Sequence, residues 1–223
     1  MFSIELIEKY ADQRAHMVEK QLKSRGIDDA RLLELFSLVP RELFVADSQR
    51  PYAYDDLPLP ILNGQTISQP YVVALMLQYL KLRPNMAVLE IGGGSGYATA
   101  LLAHLVKQVD SVEVYRDLLD SAARVLKGLD LTNVSLEHRS AWEQSSSEKV
   151  YDRVILWASP PRIPSFLFES LREGGILVAP EGKQEQHIWV YQKAGGDMLK
   201  QKKESVRFVP LVQGTTNEID MFN

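Results

Sequence analysis

Ten residues constrain this chain more than any others: Val88-Leu89-Glu90-Ile91-Gly92-Gly93-Gly94-Ser95-Gly96-Tyr97. Met86 to Ile91 is mostly apolar, the pattern of a strand covered on both faces. Four of the next five residues are glycine, so they suit neither a strand interior nor a helix interior. They permit positive φ and let backbone approach a ligand closely. Beyond them Ala98, Leu101, Leu102 and Leu105 recur at helical spacing. Strand, glycine turn and helix make the first half of a nucleotide-binding unit, with helix N-terminal amides expected to face the ligand.

The glycine spacing narrows the reading. A dinucleotide fingerprint wants Gly-x-Gly-x-x-Gly, and its third glycine would fall on Tyr97. The chain has Gly92-x-Gly94-x-Gly96 instead, preceded by Glu90. That order resembles the first motif of S-adenosylmethionine-dependent methyltransferases. No Gly-Lys-Ser/Thr follows, which excludes a P-loop. A purely structural strand-to-helix turn is the alternative.

Composition excludes several classes. The 223 residues suit one large domain, or a domain with an appendage. An apolar share of 45% with 24% charged residues is that of an ordinary soluble globule. The net charge of −4 gives no electrostatic case for nucleic acid. With no cysteine, disulfides and thiolate metal sites are ruled out. No apolar run reaches the roughly 20 residues that cross a bilayer. Met1-Phe2-Ser3-Ile4-Glu5 lacks the basic start and apolar core of a signal sequence. A cytoplasmic protein is expected, without metal, membrane or nucleic acid.

Residues 1 to 50 read as helical. Ile4 to Gly26 is a first helix, ended by Gly26. Asp28 is expected to cap a second, Asp29 to Val39, which Pro40 stops. Pro51, Pro58, Pro60 and Pro70 then break regular structure. Gly64 suits a turn. Pro70 suits the first turn of a helix from Tyr71 to Leu80, which puts Ser68 and Gln69 at its entrance. Ser68 is either only a cap or a hydroxyl that also holds an anion.

Here the resemblance becomes specific. Leu57-Pro58-Leu59-Pro60, then Gly64-Gln65-Thr66-Ile67-Ser68-Gln69-Pro70-Tyr71, then the glycine loop, in that order and spacing, resemble the protein-L-isoaspartate O-methyltransferases. Val206-Arg207-Phe208-Val209-Pro210-Leu211 extends the likeness, which covers about residues 10 to 212. The resemblance implies a Rossmann-like α/β methyltransferase fold and S-adenosylmethionine as cofactor, with S-adenosylhomocysteine as its product. It implies methyl transfer to the α-carboxyl of L-isoaspartyl residues in damaged proteins and peptides, whose esters then close to succinimides. Ser68 becomes the candidate catalytic residue. Thr66, Ile67, Ser68 and Val206 become candidate substrate contacts. Glu90, Gly92, Gly93, Gly94, Glu113, Ser140 and Ala141 become candidate cofactor contacts.

The remaining chain reads as alternating strands and helices. Gln108 to Val114 is the second strand. Its Glu113 falls about 20 residues past the glycines, where nucleotide-binding units hold ribose hydroxyls with a carboxylate. Asp117 to Leu129 is a helix, and Asn133 to His138 and Tyr151 to Ala158 are strands. Phe166 to Arg172 is helical. Gly174-Gly175 turns into strand Ile176 to Ala179. Gln186 to Gln192 and Val206 to Leu211 read as two late strands around a turn at Gly195-Gly196-Asp197. A mostly parallel sheet flanked by helices, ending in an antiparallel pair, is expected. Residues 1–80 are expected to be a helical cap carrying the substrate segment, 81–212 the cofactor core, and 213–223 a loosely held polar tail. A monomer is expected.

The chain departs from the family at one place. After its third strand the family has Gly-Asp-Gly, whose Asp is associated with the adenine. This chain has Arg139-Ser140-Ala141, then Trp142 and a polar run to Glu148. Arg139 or Trp142 could have taken over the adenine, and Ser140 would serve it more weakly than an Asp. Tyr97 and Trp157 are candidates for the pocket wall or for packing, and Arg207 for an electrostatic aid or a surface residue. No Gly-x-Ser-x-Gly elbow surrounds Ser68, which argues against a hydrolase. A methyltransferase with another acceptor and a non-catalytic module on the same fold remain as rival readings.

Overall fold

A computed structural model describes residues 2–143, 149–214 and 216–220. The first segment is helical but broken: α1 (Ile4–Lys9), α2 (Ala11–His16), a wider π turn over Met17–Leu22 and a tight turn over Lys23–Arg25. Gly26 ends it with φ of +91°. Helix α3 (Ala30–Leu38) is capped by Asp29, whose Oδ1 accepts from the Arg31 N–H at 3.0 Å. The cap is therefore one residue beyond the expected Asp28, whose own N–H donates to Gln78 Oε1.

The proline-rich stretch contains a pairing that the sequence pattern hides. Strands β1 (Leu59–Pro60) and β2 (Thr66–Ile67) form a two-stranded ribbon, with Leu59 opposite Ile67. Its turn passes through Asn63 and Gly64, both at positive φ. Helix α4 (Pro70–Leu80) begins directly after it, with Pro70 in its first turn. The N-cap position is Gln69, and no side chain caps this helix. Ser68 is thus not there for capping.

The main sheet holds seven strands in the order β5-β4-β3-β6-β7-β8-β9. They are β3 (Ala87–Ile91), β4 (Gln108–Glu113), β5 (Val134–His138), β6 (Tyr151–Leu156), β7 (Leu171–Glu181), β8 (Gln186–Ala194) and β9 (Asp197–Val206). The first five in sequence pair in parallel, and β8 and β9 add antiparallel. Helices α5 (Tyr97–Leu105) and α6 (Arg116–Gly128) connect β3 to β4 and β4 to β5. Helix α6 buries Leu118, Leu119, Ala122 and Leu126 and leaves its charges outside, as its 3.6-residue period demands. Helix α7 (Ser165–Glu169) is shorter than expected, because β7 starts at Leu171. Gly174 and Gly175 lie inside β7, at a register shift opposite Tyr151 and Arg153.

Two late expectations are corrected. The last strand is Asp197–Val206, not Val206 to Leu211. It is an edge strand with almost no buried residue, so its sequence, rich in lysine, carries no apolar alternation. Residues 207–211 instead return to the sheet's C-terminal edge, where Ser159 N–H donates to Val209 O and Leu211 N–H donates to Ser159 O. The described part of the tail is also held. Helix α8 (Thr216–Asp220) buries Ile219, and Thr216 bonds to the segment after β5. The polar run from Gln144 to Glu148 lies outside the described residues.

Candidate active site

The chain leaves β3 to build one side of the sheet and comes back to β6 to build the other. Strand order reverses between them, so a crevice opens at the C-terminal ends of β3 and β6, where open α/β sheets bind ligands. The loops at that edge are the glycine turn after Ile91, Trp157 after β6, Glu113 at the end of β4 and Arg139 after β5. Together with Thr66, Ile67 and Ser68 they line one cleft.

The glycine turn is held from behind. Glu90 is fully buried beneath it, accepting from Ser111 Oγ at 2.7 Å, Trp157 Nε1 at 2.8 Å and the Thr99 hydroxyl. Burial pushes its carboxyl above the ordinary value, against the pull of those three donors. Glu90 does not line the cleft. A Cβ on Gly93 would lie 2.4 Å from Ser111 Oγ, so the loop packs onto β4 only without a side chain there. Gly94, at φ of +56°, turns the chain back under Ile61. The N–H groups of Gly92 and Gly93 bond to Val112 O, that of Gly94 to Glu113, and that of Gly96 to Gly93 O. They are spent inside the protein, and the loop offers close backbone approach instead.

Glu113 stands at the lip of the same wall, mostly buried. Its Oε2 accepts from Gly94 N–H at 2.8 Å, and its Oε1 accepts from Val114 and Tyr115 N–H at 2.8 and 2.9 Å. Burial raises its carboxyl, while the three amides pull it down. An ionised carboxylate has lone pairs beyond these three, so hydroxyls of a ligand can share it.

The structure separates the other sequence-predicted residues. Thr66, Ile67, Ser68, Gly92, Gly93, Gly94, Glu113 and Ala141 line the cleft. Val206, Arg207 and Ser140 do not. Val206 ends the edge strand, and Arg207 is exposed beside it. The Ser140 expectation is corrected by its hydrogen bonds. It is fully buried, its Oγ donates to Gly214 O at 2.6 Å, and it accepts from Trp142 N–H at 3.2 Å. Trp142 is likewise taken by the tail segment, its Nε1 donating to Val212 O. Arg139, not Ser140, reaches the cleft. Tyr97 and Trp157 line it as well as packing beneath it.

The sequence reading missed the segment Val209 to Val212, and Tyr115 and Leu118 beyond Glu113. Tyr115 and Leu118 follow a strand that ends at the ligand edge, so their position was a usable signal. Val209 to Leu211 stood out only as part of the family likeness, because its apolar run reads equally well as a strand. Among the described residues no group of three metal-ligating side chains occurs.

A mostly parallel sheet with this glycine turn and strand-end carboxylate is the Rossmann-like fold of S-adenosylmethionine-dependent methyltransferases. The protein-L-isoaspartate(D-aspartate) O-methyltransferase family model matches residues 12–216, so the chain belongs to that family. A protein-L-isoaspartate O-methyltransferase of Pectobacterium carotovorum is 49% identical over 203 residues, 91% of this chain and 98% of that protein. The protein of the same name from Sodalis glossinidius is 48% identical over the same lengths. A Plasmodium falciparum chain so described, solved in complex with S-adenosyl-L-homocysteine, superposes with a TM-score of 0.80. It is 26% identical and covers 90% of this chain and 99% of its own.

Proposed function

We propose that this chain transfers the methyl group of S-adenosylmethionine to the α-carboxyl of L-isoaspartyl residues in proteins and peptides, with Ser68 orienting that carboxylate. The observation that carries the reading is that Thr66, Ile67 and Ser68 share one cleft with Gly92, Gly94 and Glu113. The residues present suit the cofactor: a glycine floor for close approach, a carboxylate for ribose hydroxyls, and an apolar end at Val114, Leu118 and Ala141 for a flat ring. When bound, that cofactor supplies an electrophilic methyl on a sulfonium.

The chain then has little proton chemistry to do. The acceptor carboxylate is ionised at neutral pH without help. Bound S-adenosylmethionine would supply the methyl to that carboxylate oxygen and keep the electron pair of the broken S–C bond on its sulfur. Ser68 holds the carboxylate at attack distance, and Ile67, Trp157 and Leu211 keep water away. The segment 1–80 acts as the substrate-facing unit, and 81–212 as the cofactor core. The same reading has the protein working as a monomer in the cytoplasm, without nucleic acid. No helix among the described residues is long and apolar enough to cross a membrane.

Methyl transfer to an isoaspartyl peptide, compared with the matching aspartyl peptide, tests the reading. Transfer to the first alone supports it, and equal transfer overturns it. Ser68→Ala is expected to lower turnover about tenfold or more while cofactor affinity stays within about twofold. Normal turnover per folded molecule would remove Ser68 from the reaction.

A further inference from the structure

The wall that carries Ser68 rests on a buried charge. Arg41 lies in a single tight turn, Arg41–Phe44, and is fully buried. Its Nε donates to Ala53 O at 2.8 Å, and its Nη2 donates to Ser68 O at 2.8 Å. Its guanidinium carbon sits 4.9 Å from the centre of the Tyr97 ring. Tyr97 is the first residue of α5, directly after the glycine turn, and Phe36 and Phe44 pack edge-on against it. Arg41 therefore touches both walls of the cleft, one through a hydrogen bond and one through a ring face.

The neighbouring charges do not explain Arg41. Glu42 is buried beside it, but its carboxylate is taken by Arg14, at 3.4 Å, and by the Tyr54 hydroxyl. No carboxylate pairs with Arg41 among the described residues. Its Nη1 and the Tyr97 hydroxyl have no hydrogen-bond partner there either. Burial brings the guanidinium down to about 10, so it stays protonated at neutral pH. A buried, unpaired charge is a poor way to stabilise a core. An arginine can do what an apolar side chain cannot: its rigid fork holds two carbonyls at a fixed separation while its flat face lies on a ring.

We propose that Arg41 is a positioning residue for methyl transfer, fixing the Ser68 segment against the first turn of the glycine-loop helix. The inference rests on the role proposed for Ser68. Arg41 does not line the cleft and touches neither reactant. It acts by holding the Ser68 backbone at its carbonyl, which sets where the hydroxyl points. Such control falls on the geometry of attack, where a misplacement of about 1 Å can cost about a hundredfold.

Arg41→Lys keeps the charge but gives up the fork, and Arg41→Gln keeps a donor without the charge. Each is assayed with an isoaspartyl peptide and titrated with S-adenosylhomocysteine, counting folded molecules by circular dichroism. The expected result is a fall in kcat of about tenfold or more, with peptide KM and S-adenosylhomocysteine affinity held within about twofold. In a Ser68→Ala background the Arg41 change should cost little more, because both act through one group. A merely structural arginine would lower thermal stability and leave kcat per folded molecule normal, which overturns the inference. So would an equal loss of cofactor affinity, full additivity with Ser68→Ala, or failure of both variants to fold. If Ser68→Ala alone leaves kcat unchanged, the reading of Ser68 fails and this inference with it. If Ser68→Ala lowers kcat and neither Arg41 variant does, only the Arg41 assignment falls.

Discussion

The two ends of the cleft solve the same problem with partners from different parts of the chain. At the glycine end, Glu90 and Glu113 are satisfied by Thr99, Ser111, Gly94, Val114 and Tyr115, all within about one βαβ unit, with Trp157 added from the loop after β6. At the β5 end, Ser140 and Trp142 are satisfied by Val212, Gly214 and Thr216, seventy or more positions further on. The first end is a local unit that carries its own support. The second is held by the chain's own tail. Polar groups at either end must find partners, but only local partners leave a pattern that sequence spacing reveals.

The comparison is broken most severely at Gly93. A Cβ there would overlap Ser111 Oγ and crowd the buried Glu90 carboxylate. Gly93→Ala is expected to cost about 1–3 kcal/mol of stability, as overpacking does. That corresponds to a fall in melting temperature of about 2–4 °C per kcal/mol for a chain of this size. Cofactor affinity should drop further than in any other variant here, because the whole turn shifts. Calorimetry and a thermal melt check both. A melt unchanged from wild type would mean that the turn is looser than its packing implies.

Glu113→Ala should come next. It removes the acceptor of three backbone N–H groups and the proposed partner of the ribose hydroxyls. Hydrogen bonds to charged groups are worth about 1.5–3 kcal/mol, so a loss of about ten- to hundredfold in S-adenosylhomocysteine affinity is expected. An unchanged dissociation constant in a folded variant would take Glu113 out of the site.

Glu90→Gln tests the support behind the turn through pH. Burial raises the Glu90 carboxyl, so over a window starting at its ordinary value of 4.5 the folded protein keeps a proton that the unfolded chain has lost. Within that window stability falls as pH rises. Glutamine cannot titrate, and its carbonyl can still accept from Trp157. Urea melts from pH 5 to pH 8 should therefore favour the variant increasingly with pH. Glu113 shifts in the same direction and keeps part of the slope. A constant gap between variant and wild type would show that Glu90 does not titrate there.

What could be read in the sequence follows the same division. The glycine turn, the strand and helix on either side of it, Glu113 and the Thr66-Ile67-Ser68 segment all lie in local patterns, and the structure brings them to one cleft. The ribbon Leu59–Pro60 with Thr66–Ile67 was hidden because two-residue strands have no period to detect. Strand β9 was hidden because an exposed edge has no apolar face. Arg41 carried no signal at all, since one arginine in a mixed helical region looks like any solvated charge. Its burial depends on Ala53, Ser68 and Tyr97, which no spacing rule connects.

The smallest expected effect lies at Ser140, where sequence and structure part most clearly. Were its hydroxyl on the adenine, Ser140→Ala would weaken the cofactor and Ser140→Asp would tighten it. The geometry predicts a change in stability instead. The hydroxyl donates to Gly214 O and its backbone N–H donates to Glu143 and Thr216, so it belongs to the tail's anchorage. Ser140→Ala leaves a tail carbonyl short of a donor and should cost about 1 kcal/mol, seen as a melting point about 2–4 °C lower. Affinity for S-adenosylhomocysteine should stay within about twofold. Ser140→Asp should be worse for stability, because a new carboxylate would face the Gly214 carbonyl and lie beside the Glu143 carboxylate, which Thr216 already holds below its usual range. Like charges so placed disfavour one another. Tighter cofactor binding in Ser140→Asp, with an unchanged melt, would return Ser140 to the adenine and leave the tail a bystander.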